Sequence, residues 1–265
     1  LLPSAGFALL AFNGTIAGDE ITYHSVYTKK TTTAGLGANQ VSNMLGLGSL
    51  FSFLLFNLDL KHNKLHLVMG FTFLIQAILT FSRGGVWTVL ISLTVYLLIQ
   101  IKNSTNKIKF IFSFLFISAI LNFFILPEFD GFFKNDLKSR YSDFDNTQRN
   151  TLIEMELAIF GENPILGIGP GMSRQYRVNK FQNPKNNHTE YTRLLAEHGL
   201  FGLGVIFIYI IAIFKIFKIK KQFARGIALS LATWSLLVMF HSATRLAATS
   251  VIFGMATMNY RLGKR

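Results

Sequence analysis

The residues best suited to chemistry lie in the segment N-N-H-T-E-Y-T-R-L-L-A-E-H-G-L-F-G, at 186–202. His188 precedes a run of helix-forming residues, for which Asn186 and Asn187 are predicted N-caps and Gly199 is the predicted stop. The positive end of a helix dipole favours the neutral imidazole, whose free ring nitrogen can accept a proton. His188 is therefore a candidate general base, and a purely structural helix cap is the alternative.

Two arginines occupy positions where an anion could bind. Arg83 lies in T-F-S-R-G-G-V-W, which predicts a tight hairpin between two apolar stretches, with Gly84 and Gly85 permitting the turn. Arg149 lies in the first turn of a helix predicted over roughly 147–160, where a cation is electrostatically unfavourable unless an anion is near. Snorkelling at an interface would explain Arg83 without a ligand, and ordinary solvation would explain Arg149.

Two further motifs have both a chemical and a structural interpretation. Asp143 and Asp145 form a D-x-D triplet, which holds a divalent cation in many sugar transferases, but an acidic cap for the helix at 147 explains it better. The run N-P-I-L-G-I-G-P-G at 163–171 lacks the lysine of a nucleotide-binding loop. We therefore interpret that run as a tight structural turn, and a phosphate cradle is the alternative.

Three more polar residues could reach the same site. Tyr191 follows His188 by about one helical turn and could position an acceptor, although an aromatic residue at an interface is commonly an anchor. His241 and Arg245, in H-S-A-T-R between two apolar stretches, could face the same cavity, and a polar interfacial turn is their alternative role.

The composition indicates a polytopic membrane protein. Hydrophobic residues make up 51% of the chain and charged residues 15%, and there are 27 phenylalanines, which a water-soluble globule of 265 residues would not tolerate. The net charge of +13 comes from short basic runs between apolar stretches, so the positive-inside rule explains it and a nucleic-acid partner is not expected. There is no cysteine, which excludes disulfides and thiol nucleophiles.

The apolar stretches predict an all-α fold, a helical bundle of about eight membrane segments. Residues 1–12 resemble the end of one segment, and because Leu1 opens the chain within it, we expect further spans to precede it. The other stretches lie at about 40–57, 64–82, 84–101, 108–126, 199–217, 226–241 and 246–260.

The charges of the connections predict the topology. Short basic connections, such as K-N-S-T-N-K-I-K at 102–109, should face the cytoplasm. The long connection from residue 127 to 198 carries nine Lys or Arg and ten Asp or Glu, so we place it on the extracytoplasmic side. Connections of this length are usually functional. The expected organisation is N-terminal spans, an extracytoplasmic loop with short helices, and C-terminal spans, at 1–126, 127–198 and 199–265.

Four blocks occur in an order that is typical of a known family. They are G-A-N-Q-V-S-N at 37–43, S-R-G-G-V-W at 82–87, R-N-T-L-I-E-M-E-L-A-I-F with N-P-I-L-G-I-G-P-G across 149–171, and the block that begins at His188. With these blocks the chain resembles the bacterial O-antigen ligase and O-antigen polymerase superfamily, membrane glycosyltransferases that use polyprenyl-diphosphate-linked glycans.

The last block keeps most of the pattern of the ligase branch. That pattern is His, then Asn, Ser or Gln, nine residues, Gly, two residues and Gly. His188, Gly199 and Gly202 fit this spacing, whereas Thr189 departs from the preferred residue.

The resemblance implies a GT-C-like fold with its active site on the extracytoplasmic face of the bacterial inner membrane. It implies that His188 is the catalytic base and that Arg83 and Arg149 bind the diphosphate. Two arginines can fork onto diphosphate oxygens and stabilise the charge that develops as the sugar–phosphate bond breaks. The base would take a proton from an acceptor hydroxyl that attacks the anomeric carbon with inversion. This scheme requires no metal and no other cofactor.

The expected partners are a lipid-linked oligosaccharide donor, for example on undecaprenyl diphosphate, a glycan or lipid-core acceptor, and membrane lipids. The expected function is to transfer or polymerise that oligosaccharide in surface polysaccharide or lipopolysaccharide biosynthesis, and ligase and polymerase remain open. A transporter or flippase of the same lipid-linked glycan is the alternative. Transporters typically carry polar or charged residues at mid-span, and such charges are nearly absent here.

Overall fold

The structure is a computed structural model in which ten α-helices and one 3₁₀ helix, and no strand, occur among the described residues. The chain divides into two compact units, residues 1–144 and 145–265. The described residues are 1–16, 33, 36–58, 63–80, 82–101, 147–184, 189–241 and 247–258.

The first unit is built around a central buried helix. It contains α1 (Leu2–Ile16), α2 (Ala38–Phe56), α3 (Asn63–Leu79) and α4 (Arg83–Gln100), and α2 packs against the other three. The residues of α2 from 41 to 50 are all buried, although five of them are serine, asparagine or glycine. This helix is therefore enclosed by protein on every side instead of presenting one apolar stripe.

Small residues and interhelical hydrogen bonds hold these helices together. The Ser42 hydroxyl of α2 donates to the carbonyl of Ser82 at 2.9 Å, and the Ser49 hydroxyl donates to the carbonyl of Gly70 in α3 at 2.9 Å. Bonds of this kind and close backbone approach are the usual means by which helices associate in a membrane, where hydrophobic burial between helices gains little.

Gly84 and Gly85 do not form the predicted hairpin turn, because both lie inside the first turns of α4 and Ser82 is its N-cap. Helix α3 ends at Leu79 and α4 begins at Arg83. A Cβ on Gly85 would lie 2.2 Å from the carbonyl carbon of Ser42. Gly85 is thus required for helix contact and not for chain reversal.

The second unit begins with three helices of mixed composition and ends with three apolar ones. The short helix α7 packs against α5 and passes into α8 at Gly199, and α9 packs against α10. The elements are α5 (Thr147–Glu162), α6 (Ser173–Phe181), α7 (Glu190–His198), α8 (Leu200–Phe217), α9 (Gln222–Val238), a 3₁₀ helix (Met239–His241) and α10 (Ala247–Thr257).

The described helices coincide with seven of the eight predicted membrane segments, and the segment at 108–126 lies outside the described residues. Within the described part of the chain, α8 alone is long and apolar enough to cross a membrane by length and composition. Most of its side chains are exposed, including Phe201, Phe207 and Phe214, as a lipid-facing helix requires. The all-α fold is confirmed, and the count of eight spans stays a prediction.

Candidate functional site

Helix α7 begins two residues after the predicted base. Thr189 is its N-cap, with φ −133° and ψ 134°, and helical geometry starts at Glu190. The predicted caps Asn186 and Asn187 were wrong, because the N-cap directly precedes the first helical residue. Those asparagines and His188 itself lie outside the described residues. The predicted stop at Gly199 is confirmed, with φ 56° and its N–H bonded to the carbonyl of Leu195.

The remaining predicted site residues fall in both units. Arg83 is the first residue of α4 in the first unit, and Arg149 is the third residue of α5 in the second. His241 ends the 3₁₀ helix, and Arg245 lies outside the described residues. The convergence of these groups on one site therefore stays a prediction.

Arg149 continues the buried stripe of α5. Leu152, Glu156 and Ile159 are almost completely buried, and their spacing puts them on one face of the helix. Arg149 precedes Leu152 by three residues on that face and is half-buried. Arg149 thus lies on the packed face of α5, near the N-terminal end of the helix.

A buried ion pair joins the short helices. Arg177 of α6 donates to Glu156 of α5 at 2.6 Å, and both side chains are at most 1% exposed. The hydroxyl of Ser173 donates to the same carboxylate at 3.2 Å, and the hydroxyl of Thr192 in α7 donates to its other oxygen. One carboxylate thereby connects three helices.

Burial dominates the electrostatics of this pair. Burial raises the pKa of the Glu156 carboxyl above its ordinary value, and hydrogen bonds from Thr192 and Ser173 and the charge of Arg177 oppose that rise. Burial likewise lowers the pKa of Arg177, against the attraction of Glu156. Each charge would be costly in this environment without the other.

Two acidic residues extend the polar contacts along α7. Glu197 accepts a hydrogen bond at 3.3 Å from the backbone N–H of Ser173, at the start of α6. Arg193 forms ion pairs with Glu190 at 2.7 Å and with Glu197 at 3.9 Å. Both glutamates are buried, so α7 presents carboxylates to its neighbours within the protein.

The glycine-rich run at 163–171 forms a tight turn, as predicted, and it also clamps the C-terminal end of α7. The backbone N–H groups of Ile168 and Gly169 donate to the carbonyls of Ala196 and Glu197, both at 3.0 Å. These amides satisfy the last carbonyls of α7 and are not available to a phosphate. A Cβ on Gly167, which has φ 68°, would lie 2.4 Å from the carbonyl carbon of Glu197.

Tyr191 ties α7 to the end of α9. Its hydroxyl donates to the carbonyl of Leu236 at 2.9 Å, and its ring packs against Phe240 with centroids 4.7 Å apart. Burial and the nearby Tyr209 raise the pKa of the Tyr191 phenol to about 12. These contacts give Tyr191 an anchoring role, and an acceptor contact stays a prediction.

A small, mainly apolar cavity lies between α7 and the C-terminal helices. Its volume is about 90 Å³, and Glu190, Tyr209, Ser235 and Thr249 contribute to its lining. A cavity of this volume has room for water.

The D-x-D triplet of Asp143 and Asp145 lies outside the described residues. Within the described ranges, no group of three or more metal-ligating side chains comes together.

The sequence analysis missed the network of Glu156, Arg177, Ser173 and Thr192. A signal was present, because Glu156 stands four residues after Leu152 and three before Ile159, which is a core position of the predicted helix. The partner Arg177 carries no comparable signal, because helix α6 was not predicted from the sequence.

The comparisons with known proteins identify one family. The model of the O-antigen ligase family matches residues 67–207, just over half of the chain, and no curated protein matches it. The matched region contains Arg83, Arg149 and His188. Proteins of this family are integral membrane proteins of polysaccharide biosynthesis with lipid-linked glycans as substrates. The chain belongs to the O-antigen ligase family.

Proposed function

We propose that the protein is a membrane glycosyltransferase that moves an oligosaccharide from a polyprenyl diphosphate, such as undecaprenyl diphosphate, to a hydroxyl of a second glycan. His188 is the general base, and Arg83 and Arg149 bind the diphosphate. The observation that carries this proposal is the family match over 67–207, which includes all three residues in one region.

The helix positions of the two arginines support a diphosphate ligand. Arg83 and Arg149 both stand in the first turn of a helix, α4 and α5. The backbone N–H groups there lack intrahelical partners, and the end of the helix dipole is positive, so an anion is favoured at both positions. An arginine at such a position is best accommodated when it shares an anion with the helix end.

The reaction follows from these groups. The two guanidinium groups neutralise the diphosphate as the bond between its oxygen and the anomeric carbon breaks. The acceptor hydroxyl attacks that carbon from the opposite face and gives its proton to His188, so the configuration inverts. Because the leaving group is already activated, the scheme uses no metal.

The remaining assignments belong to the same proposal. The active site lies on the extracytoplasmic face of the bacterial inner membrane, in the loop at 127–198 between N-terminal spans (1–126) and C-terminal spans (199–265). Tyr191, His241 and Arg245 are candidate acceptor contacts. The acceptor is either a lipid-core sugar, which makes the protein a ligase, or the end of a growing chain, which makes it a polymerase.

The test is glycan transfer by the reconstituted full-length protein. The donor is the lipid-linked glycan extracted from the cells that encode the protein, and purified lipid core and short repeat-unit chains are offered as acceptors. We expect His188→Ala to abolish transfer while donor binding persists. If the unchanged protein moves the donor across the bilayer but transfers no glycan, a transporter is favoured. If His188→Ala transfers glycan at the normal rate, His188 is not the general base.

A further inference from the structure

We propose that Glu156 and Thr192 are positioning residues, which hold the N-terminal end of α7, directly after His188 in the sequence, in register with the helix that carries Arg149. This inference rests on the proposed function of those two residues. It assigns a role to polar side chains that take part in no bond of the proposed reaction.

The hydrogen bonds form a directed chain. The carboxylate of Glu156 only accepts, so Thr192 uses its single hydroxyl proton on that carboxylate. The hydroxyl of Thr189 lies 3.5 Å from the hydroxyl of Thr192, and only Thr189 can then be the donor. The chain thus runs from the residue next to His188, through Thr192, to Glu156.

The far end of the chain is fixed by the buried ion pair. Arg177 donates to Glu156 at 2.6 Å and to Ser173 at 3.0 Å, and Glu156, Ser173 and Arg177 are each at most 1% exposed. A carboxylate held by three donors has one orientation available to it. Thr192 therefore meets a rigid acceptor.

The same carboxylate is tied to Arg149 through the backbone of α5. Arg149 and Glu156 are seven residues apart, about two turns, and so project from one face with about 10 Å between them along the axis. Helix α7 packs on α5 at this face. Glu156 thus has a fixed spacing to Arg149 and a hydrogen-bonded link toward residue 188.

Stability alone is a weak reason to bury this pair. The cost of desolvating two charges commonly equals or exceeds their attraction, and a well-packed apolar pair of the same volume serves as well. A geometric requirement is a stronger reason, because a general base that is displaced by about 1 Å can lose about a hundred-fold in rate.

The decisive variant is Thr192→Val, which removes the hydroxyl, keeps the shape and leaves the ion pair intact. Transfer is measured with the reconstituted full-length protein and the lipid-linked glycan extracted from its own cells. We expect kcat to fall about ten- to one hundred-fold while the KM for the donor changes by less than about two-fold. Thr192→Ser, which restores the hydroxyl, should recover most of the rate.

The matched control is Thr94→Val in α4. Thr94 is also half-buried, and its hydroxyl donates to the carbonyl of Leu90 in its own helix, so the rate should be unchanged. A normal kcat for Thr192→Val, or a loss seen only in donor KM, would overturn the inference and leave the proposed function intact. A wild-type protein that binds donor without transferring it would overturn both.

Discussion

Gly85 of α4 lies so close to Ser42 of α2 that a Cβ on the glycine would stand 2.2 Å from the serine carbonyl carbon and oxygen. Backbone atoms cannot rotate away, so Gly85→Ala must push the two helices apart. We expect a loss of about 1–3 kcal/mol or more in the free energy of unfolding, measured by thermal unfolding in detergent micelles.

Gly254→Ala is the control for that change. Gly254 is exposed in α10, and a Cβ there would meet nothing within 4 Å. Because alanine favours helix over glycine by about 1 kcal/mol, this variant should be as stable as the wild type or slightly more so. Equal losses in both variants would contradict close packing between α2 and α4.

A second glycine contact can be tested with two glycines that both have a positive φ angle. Gly167 and Gly171 have φ 68° and 77°, which alanine adopts at a cost of about 1–2 kcal/mol in either place. Only Gly167 also abuts a backbone, at 2.4 Å from the carbonyl carbon of Glu197, while a Cβ on Gly171 would have open space.

We therefore expect Gly167→Ala to destabilise the protein more than Gly171→Ala, and to loosen the clamp on the C-terminal end of α7. Hydrogen–deuterium exchange should show faster exchange of the Ile168 and Gly169 amides, which bond to the last carbonyls of α7. Indistinguishable melting temperatures for the two variants would show that the clamp contributes nothing beyond backbone strain.

The sequence predicted the positions of the helices better than the roles of the residues within them. Apolar stretches of spanning length gave helix positions that agree within a few residues, because a membrane segment needs a continuous apolar run. The role of Gly85 was mistaken, since a glycine near a turn and a glycine at a helix contact look alike in one sequence. Which of the two applies depends on Ser42, some forty residues away.

In the candidate site, too, local features could be predicted from the sequence and a contact between helices could not. The placement of Arg149 in the first turn of α5 and of Gly199 at the end of α7 follows from local capping rules, and the structure agrees. The pairing of Glu156 with Arg177 joins two helices across the glycine-rich run. No local rule specifies such a pair, because its partners become neighbours only when the helices pack.

The buried pair predicts strong non-additivity. Arg177→Met leaves the Glu156 charge buried without its cation, which should cost about 3–5 kcal/mol. The double variant Glu156→Gln with Arg177→Met removes both charges and keeps an acceptor for Thr192, so it should be more stable than Arg177→Met alone. Chemical denaturation of all four proteins gives the coupling free energy, and simple additivity would refute the interaction.

Lys180 and Glu162 provide the exposed comparison. Their ion pair joins α6 to the end of α5 at the surface, where solvent screens it. The same cycle at these residues should give a much smaller coupling that declines with added salt. A coupling as large as that of the buried pair would mean that burial is not what makes Arg177 and Glu156 interdependent.

Tyr191 predicts a pH dependence in the alkaline range. The unfolded chain loses the phenol proton near its ordinary pKa of 10, whereas the folded protein keeps it until about 12. Between these two pKa values the phenol is deprotonated in the unfolded state but not in the folded state. The free energy of unfolding therefore falls as the pH rises through this window. Tyr191→Phe should lower the free energy of unfolding at pH 8 by about 1 kcal/mol, because the hydrogen bond to Leu236 is lost. Between pH 10 and 12 the free energy of unfolding of this variant should decline less than that of the wild type. Parallel pH profiles for variant and wild type would contradict the burial of this phenol.

Arg149→Lys tests whether the arginine acts as a fork or only as a charge. Lysine keeps the positive charge in the first turn of α5 but cannot place two parallel N–H bonds on a diphosphate. A hydrogen bond to a charged group is worth about 1.5–3 kcal/mol, so kcat/KM for the lipid-linked donor should fall by about ten- to one hundred-fold. Arg174→Lys is the control, because Arg174 is exposed on α6 and its Nε donates to the carbonyl of Pro184. If Arg149→Lys transfers glycan at the wild-type rate while Arg149→Ala does not, Arg149 contributes charge alone and the two-oxygen clamp is wrong. If Arg149→Ala is also normal, the half-buried arginine serves only the packing of α5.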